Sequence, residues 1–166
     1  MDNAHLYSFL DEHKIAYERH DHPPVFTCEE ADQLVPCLPA AKTKNLFLCD
    51  DKGRTHFLVT MPDAKSVDLK ALAGVLDIKK LRFASAKRLE KHLKIIPGAV
   101  TLLATINDDQ GNVRVVLDRE IDTSDAVLCH PLVNTSTLLI SMDDLRRFLT
   151  TTGHEPEVID IPQKKE

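Results

Sequence analysis

The sequence predicts an α+β fold in which a mixed, largely antiparallel sheet is surrounded by helices. Two observations predict this class. Short apolar segments adjoin across polar turns, as the strands of hairpins do, at residues 44–61 and again at residues 100–117. Amphipathic helical segments lie between the strands without the strict strand–helix alternation of a doubly wound parallel sheet. The chain has 166 residues, so we expect residues 1–166 to form one domain.

The N-terminal part of the sequence predicts a helix, a short strand, a loop and a second helix. Residues 3–13 form an amphipathic pattern with Leu6, Phe9 and Leu10 on one helical face. Residues 15–19 are a strand candidate, and the prolines after His22 predict a loop over residues 20–24. Thr27-Cys28-Glu29-Glu30 fits a capping box, which predicts a helix toward Leu34.

The middle of the chain carries the strongest hairpin signal. Residues 44–49 and 55–61 read as strands on either side of Asp50-Asp51-Lys52-Gly53. A helix is predicted over residues 67–76 and a strand over 81–84. Ser85 is a suitable N-cap for a further helix that ends at Leu93.

The C-terminal segments predict a second hairpin and a final helix. Pro97-Gly98 predicts a turn into a strand over residues 100–106, and residues 113–117 would return as its partner. Ser141, followed by two acids, fits the start of a helix that ends at Gly153. Three further strands are predicted, at residues 126–129, 137–140 and 158–161.

Composition excludes several classes of protein. The longest apolar runs are too short for a transmembrane helix, and the acidic, amphipathic N-terminus is not a signal peptide. The four cysteines, at positions 28, 37, 49 and 129, form no CxxC pair, which indicates reduced thiols in a cytoplasmic protein. A net charge of −5 argues against a general nucleic-acid coat.

One local basic segment stands out against this acidic background. Residues 79–94 hold seven of the 21 Lys and Arg residues and one acid, Glu90. The segment is either a solvated helix face or a footprint for phosphates, with Lys87, Arg88 and Lys91 as the candidate contacts.

Metal, nucleotide and nucleophile signatures are not found. His20 and His22 are two residues apart and would share a strand face, but two ligands do not make a metal site. No glycine-rich phosphate loop and no nucleophile elbow occurs. Cys129 and His130 are adjacent and would point to opposite faces of a strand, so Cys129 reads as a core residue.

The residues that remain as candidates for a site lie in short, partly polar segments at the ends of apolar strands. They are Lys44, Asn45, Gly98, Ala99, Val100, Thr101, His130 and Asn134. Each also has an ordinary structural interpretation: an exposed strand end for Lys44, a core histidine for His130, a turn residue for Asn134.

Taken together, "KTKNLFL", "PGAVTLLATIND" and "HPLVNTST" resemble the motifs of the bacterial YbaK and prolyl-tRNA synthetase-associated editing family. "DHPPVFT" and "LRRFLTTTGHEP" are similar to its free-standing branch, which removes alanine from mischarged tRNA for proline. The motifs occur in the same order over nearly the whole chain.

This resemblance implies hydrolysis of an aminoacyl ester without a metal or an organic cofactor. The implied partner is the acceptor end of a mischarged tRNA, and the family name points to prolyl-tRNA synthetase as a further partner. Lys44 takes the position of the family's lysine and Asn45 that of its asparagine. Gly98 to Thr101 take the position of its glycine loop, and His130 that of its histidine.

Two departures from the family pattern bear on the shape of the pocket. Leu102 stands where some relatives have proline, and Leu138 follows Thr137 where a second threonine is frequent. The resemblance leaves a second function open, a non-catalytic relative that binds tRNA or a synthetase and regulates. We favour for Lys44 an electrostatic role at a phosphate or an oxyanion, because an aminoacyl ester is already activated.

Overall fold

The computed structural model describes residues 3–24 and 40–164. Within them lie eight strands and five α-helices, numbered here in chain order. The strands are β1 (Glu18–Asp21), β2 (Thr43–Asp50), β3 (His56–Pro62), β4 (Leu81–Phe83), β5 (Val113–Asp118), β6 (Ala126–Cys129), β7 (Ser136–Ser141) and β8 (Glu157–Ile159). The helices are α1 (Ala4–Glu12), α2 (Leu69–Val75), α3 (Ala86–Leu93), α4 (Arg119–Asp122) and α5 (Met142–Thr151), with 3-10 turns at Pro97–Ala99 and Leu102–Asn107. The helix predicted from Thr27 toward Leu34 lies outside the described residues.

The strands form two sheets. The larger has the order β4-β2-β3-β5-β8, with β2 antiparallel to both of its neighbours and β5 parallel to both of its own. The smaller is fully antiparallel, with the order β1-β7-β6. Four of these six pairings are antiparallel, so the predicted α+β class with a mixed, largely antiparallel sheet is confirmed.

The larger sheet is buried on both faces. Phe47, Leu58 and Val115 belong to a core shared with α1, α3, α5 and the smaller sheet. Leu48, Val59 and Val116 belong to a second core, which α2 covers. Alternate residues of β2 therefore point into different cores, as the two-residue period of a strand requires.

The predictions that rest on local sequence patterns, namely the first hairpin and two helix N-caps, are confirmed. β2 and β3 pair as the predicted hairpin, with Leu46 opposite Val59. Ser85 Oγ accepts a hydrogen bond from the Arg88 N–H at 3.2 Å, and Ser141 Oγ accepts one from the Asp144 N–H at 3.2 Å. Each cap satisfies an N–H that the first turn of a helix leaves unpaired.

The predicted strand over residues 100–106, and with it the second hairpin, is wrong. Residues Leu102–Asn107 form a 3-10 turn, which Thr101 starts by accepting the Leu103 N–H on its hydroxyl. Leu102, Leu103 and Ala104 are all buried, and a short apolar run that is buried throughout does not distinguish a strand from a helical turn. β5 pairs instead with β3 and β8, in parallel.

The predicted strand over residues 15–19 is misplaced toward the N-terminus. α1 ends at Glu12, and the turn after it runs through a left-handed Lys14 to Ile15, whose N–H donates to the Leu10 carbonyl. β1 then runs from Glu18 to Asp21, into the predicted loop, because its pairing with β7 stops only before the prolines. The short helix α4 was not predicted.

Candidate functional site

The start of β2 lies beside the end of β6, where the two sheets adjoin. Ala41 forms a parallel bridge with Val127, in which the Ala41 N–H donates to the Ala126 carbonyl at 2.8 Å. Lys44 and His130 each lie three residues beyond this bridge. Because the two segments run in the same direction, the structure brings these two predicted site residues to one edge of the fold.

Lys44 and Asn45 point to opposite faces of β2. Asn45 lies opposite Thr60, whose hydroxyl donates to Asn45 Oδ1 at 2.6 Å. Lys44 lies opposite Met61, on the face that carries Leu46. Asn45 therefore has its oxygen satisfied and retains two amide N–H donors, while the lysine reaches the other side of the strand.

The Lys44 side chain is half-buried and forms no ion pair with a described carboxylate. Across residues 3–24 and 40–164, none of the ion pairs between a basic and an acidic side chain involves Lys44. A half-buried ammonium without a carboxylate is disposed to bind an anion from solution.

His130 is held as a neutral imidazole. Its Nδ1 lies 3.1 Å from the Ser136 carbonyl oxygen, which can only accept, so Nδ1 carries the proton. Burial lowers the pKa of His130, and the neighbouring His22 lowers it further, while the bond to Ser136 acts in the opposite direction. In this tautomer Nε2 is an acceptor with a free lone pair.

A second histidine, His22, lies next to His130. The centroids of the two rings are 6.4 Å apart. His22 Nδ1 donates to the Pro23 carbonyl at 2.8 Å, so in the neutral ring Nε2 accepts the proton of the Thr137 hydroxyl at 2.8 Å. From sequence His22 is only a metal candidate, because its partner lies 115 residues away and no local pattern signals the contact.

The loop between β6 and β7 is constrained from both sides. The Asn3 amide donates to the Pro131 carbonyl at 2.8 Å, and Ser136 Oγ donates to Asp21 Oδ1 at 2.6 Å. The bond from Ser136 is the largest cause of the lowered pKa of Asp21. Leu132, buried in this loop, has a left-handed φ of 68°, which is strained for a bulky side chain. Asn134 is buried in the same loop.

The Gly98 loop is compact rather than open. Pro97–Ala99 forms a 3-10 turn in which the Ala99 N–H donates to the Ile96 carbonyl at 3.0 Å. Ala99 and Thr101 are fully buried, and Val100 packs against the first core. The Ala99 N–H is thus used inside the loop. No hydrogen bond or ion pair joins this loop to Lys44 or His130 within the described parts of the chain.

The basic helix α3 presents only part of its charge to solvent. Lys87 and Lys91 are exposed. Arg88 is half-buried, and its Nη1 donates to the Gly53 carbonyl at 3.1 Å and lies 3.3 Å from His56 Nε2. Burial, His92 and Arg88 lower the pKa of His56 to about 4, so His56 is neutral and accepts from the guanidinium. Arg88 therefore connects the helix to the hairpin turn and is a poor candidate for a phosphate contact.

The predicted metal candidates are not gathered into a ligand set. His20 Nε2 lies 2.9 Å from Glu18 Oε1, while His22 contacts Thr137. In the described part of the chain, no group of three or more His, Cys, Asp or Glu side chains could hold a metal ion. No helix among the same residues is long and apolar enough to cross a membrane.

Comparison with known proteins gives one family and several close relatives. The family model of the aminoacyl-tRNA editing domain matches residues 22–148. The chain is 38% identical over 152 residues to "Prolyl-tRNA editing protein ProX" of Acetoanaerobium sticklandii, covering 92% of this chain and 93% of that protein. It is 38% identical over 143 residues to "Prolyl-tRNA synthetase associated domain-containing protein 1" of Danio rerio. That match covers 85% of this chain and 77% of the other protein.

Two solved structures have the same fold as this chain. A crystal structure described as that of a candidate trans-editing enzyme for prolyl tRNA synthetase superposes with a TM-score of 0.73 at 17% identity, over 99% of both chains. The crystal structure of a hypothetical protein superposes with a TM-score of 0.73 at 20% identity, over 94% of this chain and 97% of the other. At these identities the likeness is one of fold.

Proposed function

We propose that this chain, which belongs to the aminoacyl-tRNA editing domain family, is a trans-acting deacylase that hydrolyses the ester of alanine on tRNA for proline. The observation that carries the proposal is the match to a prolyl-tRNA editing protein along nearly the full length of both chains. Within this proposal, residues 1–166 form a single cytoplasmic editing domain. Its partners are the acceptor end of the mischarged tRNA and, through that substrate, prolyl-tRNA synthetase.

The proposed reaction needs a held carbonyl, a placed water and compensation for negative charge. The water oxygen attacks the ester carbon, and the carbonyl oxygen becomes an oxyanion. The bond from carbon to the ribose oxygen then breaks, that oxygen takes the proton that the attacking water gives up, and alanine and free tRNA leave. No serine nucleophile is required, because the ester is already activated.

Lys44 is proposed to supply the compensating charge. Its half-buried ammonium has no carboxylate partner in the described parts of the chain, so its field is not cancelled locally. The pairing of β2 with β3 fixes its backbone within a central strand of the sheet. A charge whose position is fixed by a sheet stabilises an oxyanion without any need for protein groups to reorient during the reaction.

His130 is proposed to bound the amino-acid pocket and to accept a hydrogen bond there. Its protonated Nδ1 faces Ser136, so Nε2 can accept from the α-ammonium of the aminoacyl group. A wall formed by His130 and the strained loop at Leu132 can admit alanine and exclude the larger proline ring. Such a second sieve is needed because one methylene in a synthetase pocket discriminates by only about 1–3 kcal/mol.

The experiment that tests the proposal measures hydrolysis and binding on the same preparation. Alanine-charged tRNA for proline is mixed with excess protein, and loss of the ester is followed against spontaneous hydrolysis. Binding of uncharged tRNA is measured in parallel. We expect hydrolysis well above the spontaneous rate. Binding with no acceleration would contradict the deacylase and would favour the non-catalytic, regulatory function.

A further inference from the structure

The smaller sheet packs one face against the first core and carries polar side chains on the other. Leu138 of β7 belongs to that core, so Thr137, one residue earlier, lies on the polar face. His130 follows Cys129, which lies opposite Leu138, and is therefore the neighbour of Thr137 across the two strands. His22 Nε2 lies 2.8 Å from Thr137 Oγ. The two histidines and the threonine between them thus lie together on this face.

The Thr137 hydroxyl is oriented by His22. In the neutral ring Nδ1–H donates to the Pro23 carbonyl, so Nε2 accepts the hydroxyl proton of Thr137. A hydroxyl that donates its proton in this way keeps two lone pairs and acts toward any other group as an acceptor. No donor from residues 3–24 or 40–164 occupies these lone pairs. Thr137 is 5% exposed, so bulk water has little access to them.

His130 supplies a second neutral acceptor beside this hydroxyl, because its Nδ1 proton is held by the Ser136 carbonyl and its Nε2 is free. Charged acceptors lie elsewhere. Asp21 points to the opposite face of β1, where Ser136 Oγ donates to it at 2.6 Å. Glu18 is the one carboxylate that the strands of the smaller sheet carry on the polar face. It is four residues from His22, about 13 Å along the strand.

We propose that Thr137 and His130 together hold the α-ammonium of the aminoacyl group, and that His22 is the positioning residue that makes the Thr137 hydroxyl an acceptor for it. The inference rests on the proposed function, since the ammonium belongs to the ester that the deacylase takes. An ammonium has three N–H donors and is satisfied by such acceptors. A carboxylate in their place would repel the oxyanion that forms on the neighbouring carbon.

A substrate without the ammonium gives the direct test. tRNA for proline is esterified with alanine or with propionate, in which a hydrogen replaces the ammonium, and single-turnover release of both acids is measured. Thr137→Val removes the hydroxyl and keeps the branched shape. It should slow alanine release about 10- to 150-fold, as for a lost hydrogen bond to a charged group, and change propionate release by less than about twofold. Thr135→Val, the same change at an exposed position of the same segment, should change neither rate.

A double-mutant cycle tests whether His22 acts through Thr137. His22→Leu should slow alanine release about 2- to 10-fold, because the hydroxyl is no longer held as an acceptor. The double variant His22→Leu/Thr137→Val should lose no more than Thr137→Val alone, since the group that His22 orients is gone. His22→Gln should restore most of the rate, because its amide oxygen can accept the hydroxyl proton. Thermal melts check that each variant is folded.

Three results would overturn the assignment. They are wild-type release of alanine by a folded Thr137→Val, equal losses of that variant on the alanine and propionate esters, and losses that multiply in the double variant. Equal losses would leave the hydroxyl with a structural role only, and multiplied losses would show that His22 acts independently of it. Failure of the deacylase proposal is distinct from all three, because the unmodified protein would then release no alanine.

Discussion

Replacing Lys44 with alanine should abolish most of the activity and leave the fold unchanged. The lysine is half-buried, and no ion pair within the described residues depends on it. Its backbone bonds to β3 do not involve the side chain. The change in the free energy of unfolding should therefore stay within about 0.5 kcal/mol, as for substitutions that create neither a cavity nor an unpaired buried group.

The effect on the chemical step follows from the charge removed. At about 4 Å and an effective dielectric constant of about 20, a unit charge interacts with an oxyanion by about 4 kcal/mol. Removal of one donor to an oxyanion in characterised hydrolases costs on the order of 10²–10³ in rate. We expect a loss of that size in the single-turnover rate constant. Lys44 could instead contact a phosphate equally in the ground and transition states. In that case the rate constant will be unchanged, and the protein concentration needed for half of the maximal rate will rise.

The assay is single-turnover deacylation of alanine-charged tRNA for proline over a range of protein concentrations. Lys52→Ala is the matched control, because Lys52 is an exposed lysine in the turn at the other end of the same hairpin. It should retain the wild-type rate. A folded Lys44→Ala that reaches the wild-type rate with wild-type concentration dependence would refute the role given to this residue.

The remaining predictions concern His130, His56 and metal ions. Because the folded-state pKa of His130 is lowered, activity that needs its neutral form should hold as the pH falls to the ordinary histidine value and decline only below it. A rate that declines already above pH 7 would contradict this. His56 has a folded pKa of about 4 against 6.5 in the unfolded chain, so the unfolded state takes up a proton first as the pH falls. The free energy of unfolding should fall between about pH 6.5 and 4, by at most about 3 kcal/mol from this group, in urea titrations. A folded His56→Asn variant should lose that part of the pH dependence, and an unchanged pH dependence would show that His56 is not its source. Chelation with EDTA should leave deacylation intact, and a loss that zinc restores would bring back His20 and His22 as ligands.

The parts of the fold that could be predicted are those encoded within a few residues. The β2–β3 hairpin has its turn in Asp50 to Gly53, and the caps Ser85 and Ser141 precede the helices they start. The parallel pairing of β5 with β3 joins segments more than 50 residues apart, and nothing local specifies it. The apolar run at Leu102 suits a strand and a 3-10 turn equally, so the sequence pattern does not decide between them.

The same difference between local patterns and long-range contacts applies to the candidate site. The resemblance to the editing family predicted Lys44, Asn45 and His130 as site residues, and the bridge between Ala41 and Val127 brings the segments that carry Lys44 and His130 side by side. His22 and Asp21 could not be assigned, because their partners Thr137 and Ser136 are 115 residues away in sequence. Nor could sequence show that the Arg88 guanidinium is bound by the Gly53 carbonyl.

The central claim is that this chain removes alanine, and not proline, from tRNA for proline. The most direct measurement incubates the protein with a mixture of the two charged tRNAs, each amino acid carrying its own label, and follows both released amino acids in one reaction. We expect alanine to be released at least about tenfold faster than proline, which is the lower limit for exclusion by size in a fitted pocket. Equal release of both amino acids would contradict the account, because a pocket that admits the cognate ester cannot serve as a sieve.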